Sequence, residues 1–260
     1  MLSPVPRSSF VTRYLLFQLY APLASWGEVA VGESRPSATR PGRSALIGLL
    51  AAALGVRRDD ETRQDGLAAG YRFAVREVAQ GCLLRDYHTA QVPSSAALKK
   101  APASTRRDEL SVKVNTILSS RDYRCDGYWQ VAVQPKSGPL PYGLEELVEA
   151  LAQPRFTLYL GRKACPLALP LQPRVVEAES LQAAFAQSEF TGPEGFVGEL
   201  GCSSAVRGLE RAGGSLYWEA DMEPGIAARQ TYTRRDDPRT RLRWQFDERL
   251  EHHGTLPAKE

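Results

Sequence analysis

The sequence predicts an α+β fold, with a ferredoxin-like (RRM-type) palm, a long inserted thumb and a smaller β-rich C-terminal part. Two observations carry this prediction. Segments with strand and helix patterns follow one another in the order β-α-β-β-α-β, which is the ferredoxin-like order. The second and third strands are separated by about 50 residues, 79–127, whereas a hairpin connection needs roughly two to five. A segment of that length between two strands indicates an insertion.

Each element of the palm follows from a local pattern. Strand 13–20 alternates, with leucine and phenylalanine on one face. Leucines at helical spacing over 44–54 predict a helix, and Gly55 stands where a C′ glycine ends one. The remaining palm elements are predicted as strands at 71–78, 128–133 and 156–160 and a helix at 143–152.

The periodic pattern of apolar residues loosens after residue 160. We therefore divide the chain into a palm of residues 1–165 and a β-rich C-terminal region of residues 166–260 that packs on the palm. A short helix is predicted over 181–187, with Ser180 as its N-cap. Strands are predicted at 216–220, 230–234 and 239–246, with Asp236, Asp237 and Pro238 as the turn between the last two and a polar tail after residue 247.

Composition excludes several classes of protein. The 260 residues are 43% hydrophobic and 24% charged, which is ordinary for a globular protein. Gln18 and Pro22 interrupt the apolar run over 14–24, so no signal peptide is predicted, and no segment reaches the roughly 20 apolar residues that a membrane span needs. The four cysteines form no CxxC pair and no carboxylates have metal-ligand spacing. We therefore expect reduced thiols, a cytoplasmic location, no metal and no cofactor.

The net charge of +3 is unevenly distributed along the chain. Residues 1–165 carry 22 Lys and Arg against 15 Asp and Glu, whereas residues 166–228 carry 3 against 9 and residues 229–260 carry 8 against 6. A basic first part and a basic end therefore flank an acidic segment. This asymmetry is typical of a protein that meets a polyanion on one side and another protein elsewhere.

A loop rich in arginine and proline precedes the first predicted helix. It carries Arg35, Arg40 and Arg43. Because a helix start exposes unpaired N–H groups and the positive end of the helix dipole, arginines beside it are typical of a phosphate site. Solvated arginines beside an ordinary core helix are the alternative, since P-loop spacing is absent. Small residues such as Gly48 on the other helix face allow another group to approach closely.

The inserted segment mixes cations with aromatic rings. Its arginines and lysines are interleaved with Tyr87 and Tyr123. This combination is typical of single-stranded RNA binding, because cations pair with phosphates and rings stack on bases. Residues 93–107 are expected to order only on binding. A solvated surface excursion is the alternative, and the arginines of segment 239–246 allow the same two interpretations.

Seven stretches of the sequence match one known family in order over residues 14–246. They are residues Tyr20–Gly27, Arg35–Ser37, Gly48–Leu50 with Leu54–Gly55, Leu84–Thr89, Pro154–Thr157 with Tyr159–Lys163, Cys165–Leu167 and Arg235–Pro238. The chain resembles the CasD family, the Cascade subunits of type I-E CRISPR interference complexes within the repeat-associated mysterious protein superfamily.

The resemblance implies a non-catalytic subunit that binds the 5′ handle of the CRISPR RNA and caps one end of the complex in antiviral defence. It implies as partners the CRISPR RNA, the backbone subunit CasC and the large PAM-reading subunit CasA, with target DNA met indirectly and no membrane. The RNA-binding residues that it implies are Arg35, Arg40, Arg43 and Ser44 on handle phosphates, Arg85, Tyr87 and His88 near the base of the thumb, and Arg162 and Lys163 beside the palm.

Two other classes of function stay open at this point. Relatives in another CRISPR subtype cut their own precursor RNA, so a metal-independent endoribonuclease is one alternative. His88, with Tyr87, Lys99 and Lys100 nearby in the sequence, would then supply the base that takes the 2′-OH proton. A purely structural subunit without RNA contact is the other, and the concentration of arginine in palm and thumb argues against it.

Overall fold

The computed structural model describes residues 11–193, 195, 214–241 and 243–257. Within these ranges lie a nine-stranded sheet and a separate two-stranded pair. The strands are β1 (Thr12–Ala24), β2 (Trp26–Gly27), β3 (Ser34–Arg35), β4 (Ser37–Ala38), β5 (Tyr71–Ala79), β6 (Cys82–Pro93), β7 (Val114–Pro135), β8 (Arg174–Ala178), β9 (Ser215–Glu219), β10 (Gln230–Thr240) and β11 (Gln245–Thr255). The helices are α1 (Arg43–Leu54), α2 (Glu61–Gly70), α3 (Ser95–Lys100), α4 (Arg106–Ser111), α5 (Leu144–Ala152) and α6 (Leu181–Gln187).

The main path of the large sheet runs β10-β11-β9-β5-β7-β1-β8. Every neighbouring pair along this path is antiparallel. β6 pairs with the first part of β7, β3 pairs with β7 in parallel, and β2 pairs with β4 separately. The predicted α+β class is confirmed as a large antiparallel sheet combined with helices.

Alternating side chains of the central strands bury both faces of the sheet. On β1, Leu15, Phe17 and Leu19 contribute to a core shared with α1 and α5, as their alternation predicts. Tyr14 and Leu16 contribute to a second core, which includes α6. Because burial of one such side chain contributes roughly 1.5–3 kcal/mol, a slip of one residue in the register is strongly disfavoured.

Helix α1 forms where the leucine spacing predicts it and begins one residue earlier, at Arg43. Its leucine stripe is buried against the sheet. Gly55 follows with φ 72°, in the left-handed region, and a Cβ there would lie 2.7 Å from the side chain of Arg155. Glycine therefore ends the helix both for its backbone conformation and for the close approach of Arg155.

Several other predicted elements are confirmed within one or two residues. The predictions at 71–78, 143–152, 181–187 and 216–220 correspond to β5, α5, α6 and β9, and 128–133 lies within β7. The hydroxyl of Ser180 accepts a hydrogen bond from the N–H of Ala183 at 3.2 Å, as predicted for the N-cap of α6.

The inserted segment is an antiparallel hairpin of β6 and the first part of β7, with α3 and α4 between the two strands. Residues 93–107, which were expected to order only on binding, instead contain α3 and the start of α4. The hydroxyl of Ser94 caps α3 by accepting from the N–H of Ala97 at 3.2 Å. Local capping therefore gives this segment structure within the chain itself.

The predicted fourth strand at 156–160 is wrong. This segment contains only an isolated bridge between Tyr159 and Pro166, and the strand beside β1 is β8. The segment instead packs on the end of α1, where the N–H of Arg155 donates to the carbonyl of Ala53 at 2.9 Å. Its alternating leucines, Leu158 and Leu160, are buried in the core that includes α1 without pairing as a strand.

The predicted turn at Asp236, Asp237 and Pro238 is also wrong, because β10 continues through these residues with register irregularities. The chain reverses direction over 241–244 instead. Acidic residues here are not solvated turn residues, since Arg249 of the neighbouring strand binds the carboxylate of Asp236. This cross-strand pair keeps the segment within the sheet.

The predicted polar tail after residue 247 is wrong as well. It forms most of β11, which lies between β9 and β10 in the sheet. The ring of His253 stacks on Tyr217 with centroids 4.6 Å apart. Aromatic contacts and pairing on both sides therefore incorporate a polar sequence into a central strand.

None of the helices in the described ranges is long and apolar enough to cross a membrane. Part of the acidic segment, residues 196–213, lies outside the described residues, as does Leu242.

Candidate nucleic-acid interface

The start of α1 is held by a carboxylate from β10. Gly42 at the N-cap has no side chain to cap the helix, and the backbone N–H of Arg43 donates to Asp236 Oδ2 at 2.8 Å. Asp236 also accepts from Arg249 at 2.6 and 2.9 Å. A negative group is favourable at a helix start. The position that the sequence predicted for a phosphate is therefore filled by Asp236.

Arg43 lies inside the protein, with 3% of its surface exposed. Its guanidinium forms ion pairs with Glu219 and Asp237, each at 2.7 Å, and donates to the carbonyl of Tyr71 at 3.2 Å. Buried charges persist in proteins when they are paired in this way. This geometry supports a structural role, and contact of Arg43 with RNA stays a prediction.

The ion pairs of Arg43, Asp236 and Arg249 belong to a larger cluster of buried charges, here called the ionic junction. Arg40 is also part of it. Its guanidinium lies 3.5 Å from the centroid of the Tyr217 ring and forms an ion pair with Glu251. Arg234 and Arg249 approach the Glu251 carboxylate at 3.5 and 2.9 Å. Burial acts to raise the pKa of Glu251, but the three arginines hold that pKa below its ordinary value. Contact of Arg40 with RNA likewise stays a prediction.

The pKa values of two other carboxyls of the junction are shifted in opposite directions. Burial acts to raise the pKa of Asp236, but hydrogen bonds from Arg249 and its charge outweigh burial and lower the pKa. Burial raises the pKa of Glu219 despite its ion pair with Arg43. The junction as a whole ties the start of α1 to β9, β10 and β11.

A groove of about 940 Å³ runs along the small-residue face of α1. Ser44, Gly48 and Ala52 lie on its α1 wall, and its other walls come from residues 25–36, 56–59 and 156–162 and from the end of the β10–β11 hairpin. The close approach that the sequence predicted for this face is confirmed, because Arg241 Nη1 lies 3.4 Å from where a Cβ of Gly48 would stand. The groove brings together three predicted site residues, Arg35, Ser44 and Arg162.

Arginines without carboxylate partners give the groove a positive charge. Of the carboxylates on its walls, Asp59 pairs with Arg57 at 3.4 Å and Asp236 pairs with Arg249, which leaves Glu28. The groove arginines that form no ion pair with a carboxylate within the described ranges are Arg35, Arg58, Arg162 and Arg241. A concave surface with such an excess of positive charge attracts polyanions.

Aromatic rings stand beside these arginines. Phe156 is 46% exposed and Trp244 is 53% exposed, and both line the groove. The guanidinium of Arg58 lies 4.5 Å from the centroid of Trp244, and the ring of Phe246 lies 6.2 Å from it. Accessible rings next to cations are what recognition of unpaired bases requires.

Near one end of the groove, Asp122 holds two of the predicted RNA-binding residues, Arg85 and Arg162, beside Arg35. Arg85 donates to both carboxylate oxygens of Asp122, at 2.8 and 3.0 Å, and these hydrogen bonds lower the pKa of Asp122. Arg162 donates to the carbonyl of Asp122 at 3.2 Å and to that of Arg35 at 3.3 Å. Its guanidinium also lies 4.6 Å from the centroid of Tyr123. Arg35, Arg85 and Arg162 are therefore neighbours at the base of the hairpin.

The other predicted site residues do not line the groove. Tyr87, which is 68% exposed, and His88 lie on β6. The Nδ1 atom of His88 is 3.7 Å from the carboxylate of Asp86. Lys163 is exposed beside Arg162. For these residues, as for those in the groove, RNA contact stays a prediction.

Sequence reasoning did not select Arg58, Arg241 and Trp244 as site residues. A signal was present, since Arg58 follows closely on the end of α1 and the other two lie in a stretch that alternates basic and apolar residues. What the sequence did not indicate is that the end of the β10–β11 hairpin contacts α1, where Arg241 Nη2 donates to the carbonyl of Ser44 at 2.6 Å.

A basic groove with accessible rings on an α+β scaffold is typical of proteins that bind single-stranded nucleic acid. Comparison with known sequences is more specific. The chain belongs to the family described as CRISPR-associated protein (Cas_Cas5), whose model matches residues 14–250. It is 31% identical over 247 residues to the CRISPR system Cascade subunit CasD of Escherichia coli strain K12, which covers 91% of this chain and 93% of that protein. The resemblance to CasD is thereby confirmed.

Solved structures have the same fold. A chain of a structure titled CRISPR RNA-guided surveillance complex superposes with a TM-score of 0.54 at 22% identity, covering 94% of this chain and 90% of that one. A second structure, titled Crystal structure of Cas protein, gives a TM-score of 0.51 at 25% identity and covers 94% and 95% of the two chains.

Proposed function

We propose that the chain is a non-catalytic subunit of a type I-E CRISPR interference complex, Cascade, and that it binds the 5′ handle of the CRISPR RNA and caps the backbone of the complex in antiviral defence. The observation that carries this proposal is the 31% identity, over 91% of the chain, to a protein named as a Cascade subunit. A match over nearly the whole length argues for an equivalent subunit rather than for one shared module.

The RNA-binding part of the proposal is supported by the groove. An RNA backbone laid along α1 would meet guanidinium groups that form no ion pair with a carboxylate of the described residues, and charge-assisted hydrogen bonds to phosphate are strong. Arg35 and Arg162 would contact the RNA at the end nearest the hairpin. Arg85, Tyr87 and His88 would extend the contact onto β6.

A ferredoxin-like palm with a thumb is the architecture that we assign to this subunit. It is supported by the order β5-β7-β1-β8, which places the second, third, first and fourth palm strands side by side. The β6–β7 hairpin within residues 79–127 would be the thumb. The palm sheet would also include β8, which lies beyond residue 165, and the remainder of residues 166–260 would form the C-terminal part.

Protein partners are assigned from the surface of the hairpin. Leu83, Leu84 and Ile117 are 51%, 45% and 45% exposed there. These side chains are spread along the hairpin, and exposed apolar surface is typical of interaction sites. We assign this surface to the backbone subunit CasC, with CasA docking beside it and target DNA met through the complex. A cytoplasmic location stays a prediction.

The alternative function, a metal-independent endoribonuclease, would use His88 as its base. Cleavage needs a base and a cation converging on one phosphodiester. β6 continues for five residues beyond His88, roughly 16 Å at strand rise, before the helix that carries Lys99 and Lys100 begins. Lys99 and Lys100, which the sequence placed near His88, therefore lie beyond the far end of β6. This separation favours the binding subunit.

A gel assay separates the two functions. The purified chain is incubated with labelled precursor CRISPR RNA and a metal chelator, and the salt concentration is raised in steps. The binding subunit retains the RNA uncut and releases it at high salt, because phosphate contacts weaken with salt. A discrete cut within the repeat that disappears in His88→Ala would contradict the proposal and establish the endoribonuclease.

A further inference from the structure

Two arginines, Arg58 and Arg241, line the groove wall formed by residues 56–59 and the end of the β10–β11 hairpin. Arg58 is exposed and forms no ion pair in the described part of the chain, and neither does Arg241. Their charges act on one another, because Arg58 contributes to the lowered pKa of Arg241 after burial, the larger cause. Two cations held close together without an acid favour an anion between them.

Arg241 is fixed in place rather than free to swing into solvent. Its Nη2 donates to the carbonyl of Ser44 at 2.6 Å, and its guanidinium lies over Gly48. Its Nε is buried and has no hydrogen-bond partner among the described residues. A buried donor without a partner is costly, so local hydrogen bonds leave part of this guanidinium group unsatisfied.

Trp244 stands at the rim of this same wall. The chain has four tryptophans, of which Trp26, Trp129 and Trp218 are at most 4% exposed. Trp244 is 53% exposed although it is a large apolar ring beside a groove. The cation–π contact with Arg58 orders the ring while leaving about half of its surface to solvent.

We propose that Arg58, Arg241 and Trp244 form a subsite that binds one unpaired nucleotide of the RNA. The base stacks on Trp244, and its phosphate lies between the two guanidinium groups. Gly48 keeps the helix face beside Arg241 open, since Arg241 Nη1 lies at contact distance, 3.4 Å, from where a Cβ of Gly48 would stand. The identity of the ligand as RNA rests on the proposed function, whereas the assignment of these three residues rests on the groove.

An acidic segment of a protein partner is the competing ligand for the same arginines. Such a segment would use the charges of Arg58 and Arg241 but gains little from an indole ring. A nucleotide would use the arginine charges through its phosphate and the indole ring through its base. The exposure of Trp244 beside the arginines therefore favours a nucleotide, and substitution of the ring distinguishes the two ligands.

The test uses the full chain and an unstructured RNA of eight uridines. Because Trp244 is the exposed tryptophan, base stacking should quench the intrinsic fluorescence of the protein. Trp244→Leu should weaken binding roughly tenfold or more, since stacking contributes about 1–3 kcal/mol per base. Trp244→Phe should retain most of the affinity. Arg58→Gln should weaken binding and reduce the slope of log affinity against log salt by about 0.7.

Arg13→Gln is the matched control, because it removes the same charge from an exposed site that pairs with Glu145 outside the groove. It should leave affinity and salt slope unchanged, and thermal melts should show that all variants fold. Wild-type binding that neither Trp244→Leu nor Arg58→Gln weakens would overturn the subsite but leave the proposed function standing. Weakening by Arg58→Gln alone would overturn base stacking, and absence of any RNA binding by the wild type would overturn both proposals.

Discussion

Asp236 is the residue that connects the start of α1 to the C-terminal strands. Its carboxylate accepts from the backbone N–H of Arg43 and from the guanidinium of Arg249, and its side chain is 12% exposed. Removal of one partner from a buried ion pair is expensive, because the remaining charge is left without compensation. The stability of the junction therefore depends on this carboxylate.

Asp236→Asn is expected to lower the free energy of unfolding by about 3 kcal/mol, because buried Arg249 loses the carboxylate that accepts two of its hydrogen bonds and keeps only Glu251, among the described residues, as an ion-pair partner. Urea denaturation followed by circular dichroism measures this change. Asp221→Asn is the control, since the side chain of Asp221 is 80% exposed and lies 3.5 Å from Arg72. That change should stay within about 0.5 kcal/mol. Equal losses in both variants would contradict the role of Asp236.

At the residue scale, the sequence indicated which arginines are unusual but not what they contact. Arg40 and Arg43 stand out in a loop rich in proline and glycine. Their carboxylate partners lie far along the chain, with Glu251 211 positions from Arg40 and Asp237 194 positions from Arg43. Local pattern carries no information on such distant partners, so a surface role and a buried role were indistinguishable from the sequence.

At the element scale, the end of the β6–β7 hairpin, residues 94–113, is separable from the core. Neither α3 nor α4 contains a buried residue. The pairing of β6 with β7 ends at the Pro93–Val114 pair, before these helices begin. The end of the hairpin therefore contributes little to the packing that stabilises the sheet.

Replacement of residues 94–113 by Asn-Gly is expected to leave the palm folded, because this dipeptide closes a two-residue hairpin turn between paired strands. The thermal midpoint should change by less than about 4 °C, which corresponds to about 1 kcal/mol for a chain of this size. Differential scanning calorimetry measures it. Loss of a cooperative transition would show that the hairpin end is part of the core.

The elements predicted correctly are those whose pattern arises from burial against the sheet. α1, β1 and α5 have periodic apolar positions, and their existence follows from the sequence. Segment 156–160 alternates as well, but Leu158 and Leu160 are buried in the core that includes α1 without strand pairing. The Asp236–Pro238 motif has turn composition, but its carboxylates form ion pairs with arginines of other elements, Asp236 with Arg249 and Asp237 with Arg43. Composition alone does not separate a solvated turn from an ion-paired strand.

At the scale of the whole molecule, the carboxyls of the ionic junction govern stability in acid. Burial acts to raise the pKa values of Asp236 and Glu251, but arginines outweigh it and lower both. A carboxyl with a lowered folded-state pKa stabilises the fold above its unfolded-state pKa, and this contribution is lost as pH falls through the folded-state value. Glu219 acts in the opposite sense, because burial raises its pKa.

The free energy of unfolding should therefore decline as pH falls below about 4.5, where Glu251 and then Asp236 begin to bind protons in the unfolded chain. Urea denaturation at a series of pH values measures this decline. In Asp236→Asn the decline should be shallower, because one of the two carboxyls is absent. A wild-type stability that is constant to about pH 3, or an identical decline in the variant, would contradict this assignment.

The arrangement of the sheet was only partly accessible from the sequence. The order of palm elements followed from periodicity, but the insertion of β9 and β11 beside β5 depends on pairing between distant segments. The groove has the same origin, because its walls combine α1 with the end of a hairpin nearly 200 residues away. Single-sequence patterns predict elements, whereas sites formed between distant elements emerge with the fold.

The salt dependence of RNA affinity is the most direct test of the groove as the RNA-binding surface. Binding of labelled 5′-handle RNA is measured at increasing salt for the wild type, Arg162→Gln and the control Arg13→Gln. The groove predicts a steep fall of affinity with salt in the wild type, a slope smaller by about 0.7 in Arg162→Gln, and no change in the control. An affinity that does not depend on salt, or a wild-type slope in Arg162→Gln, would contradict it.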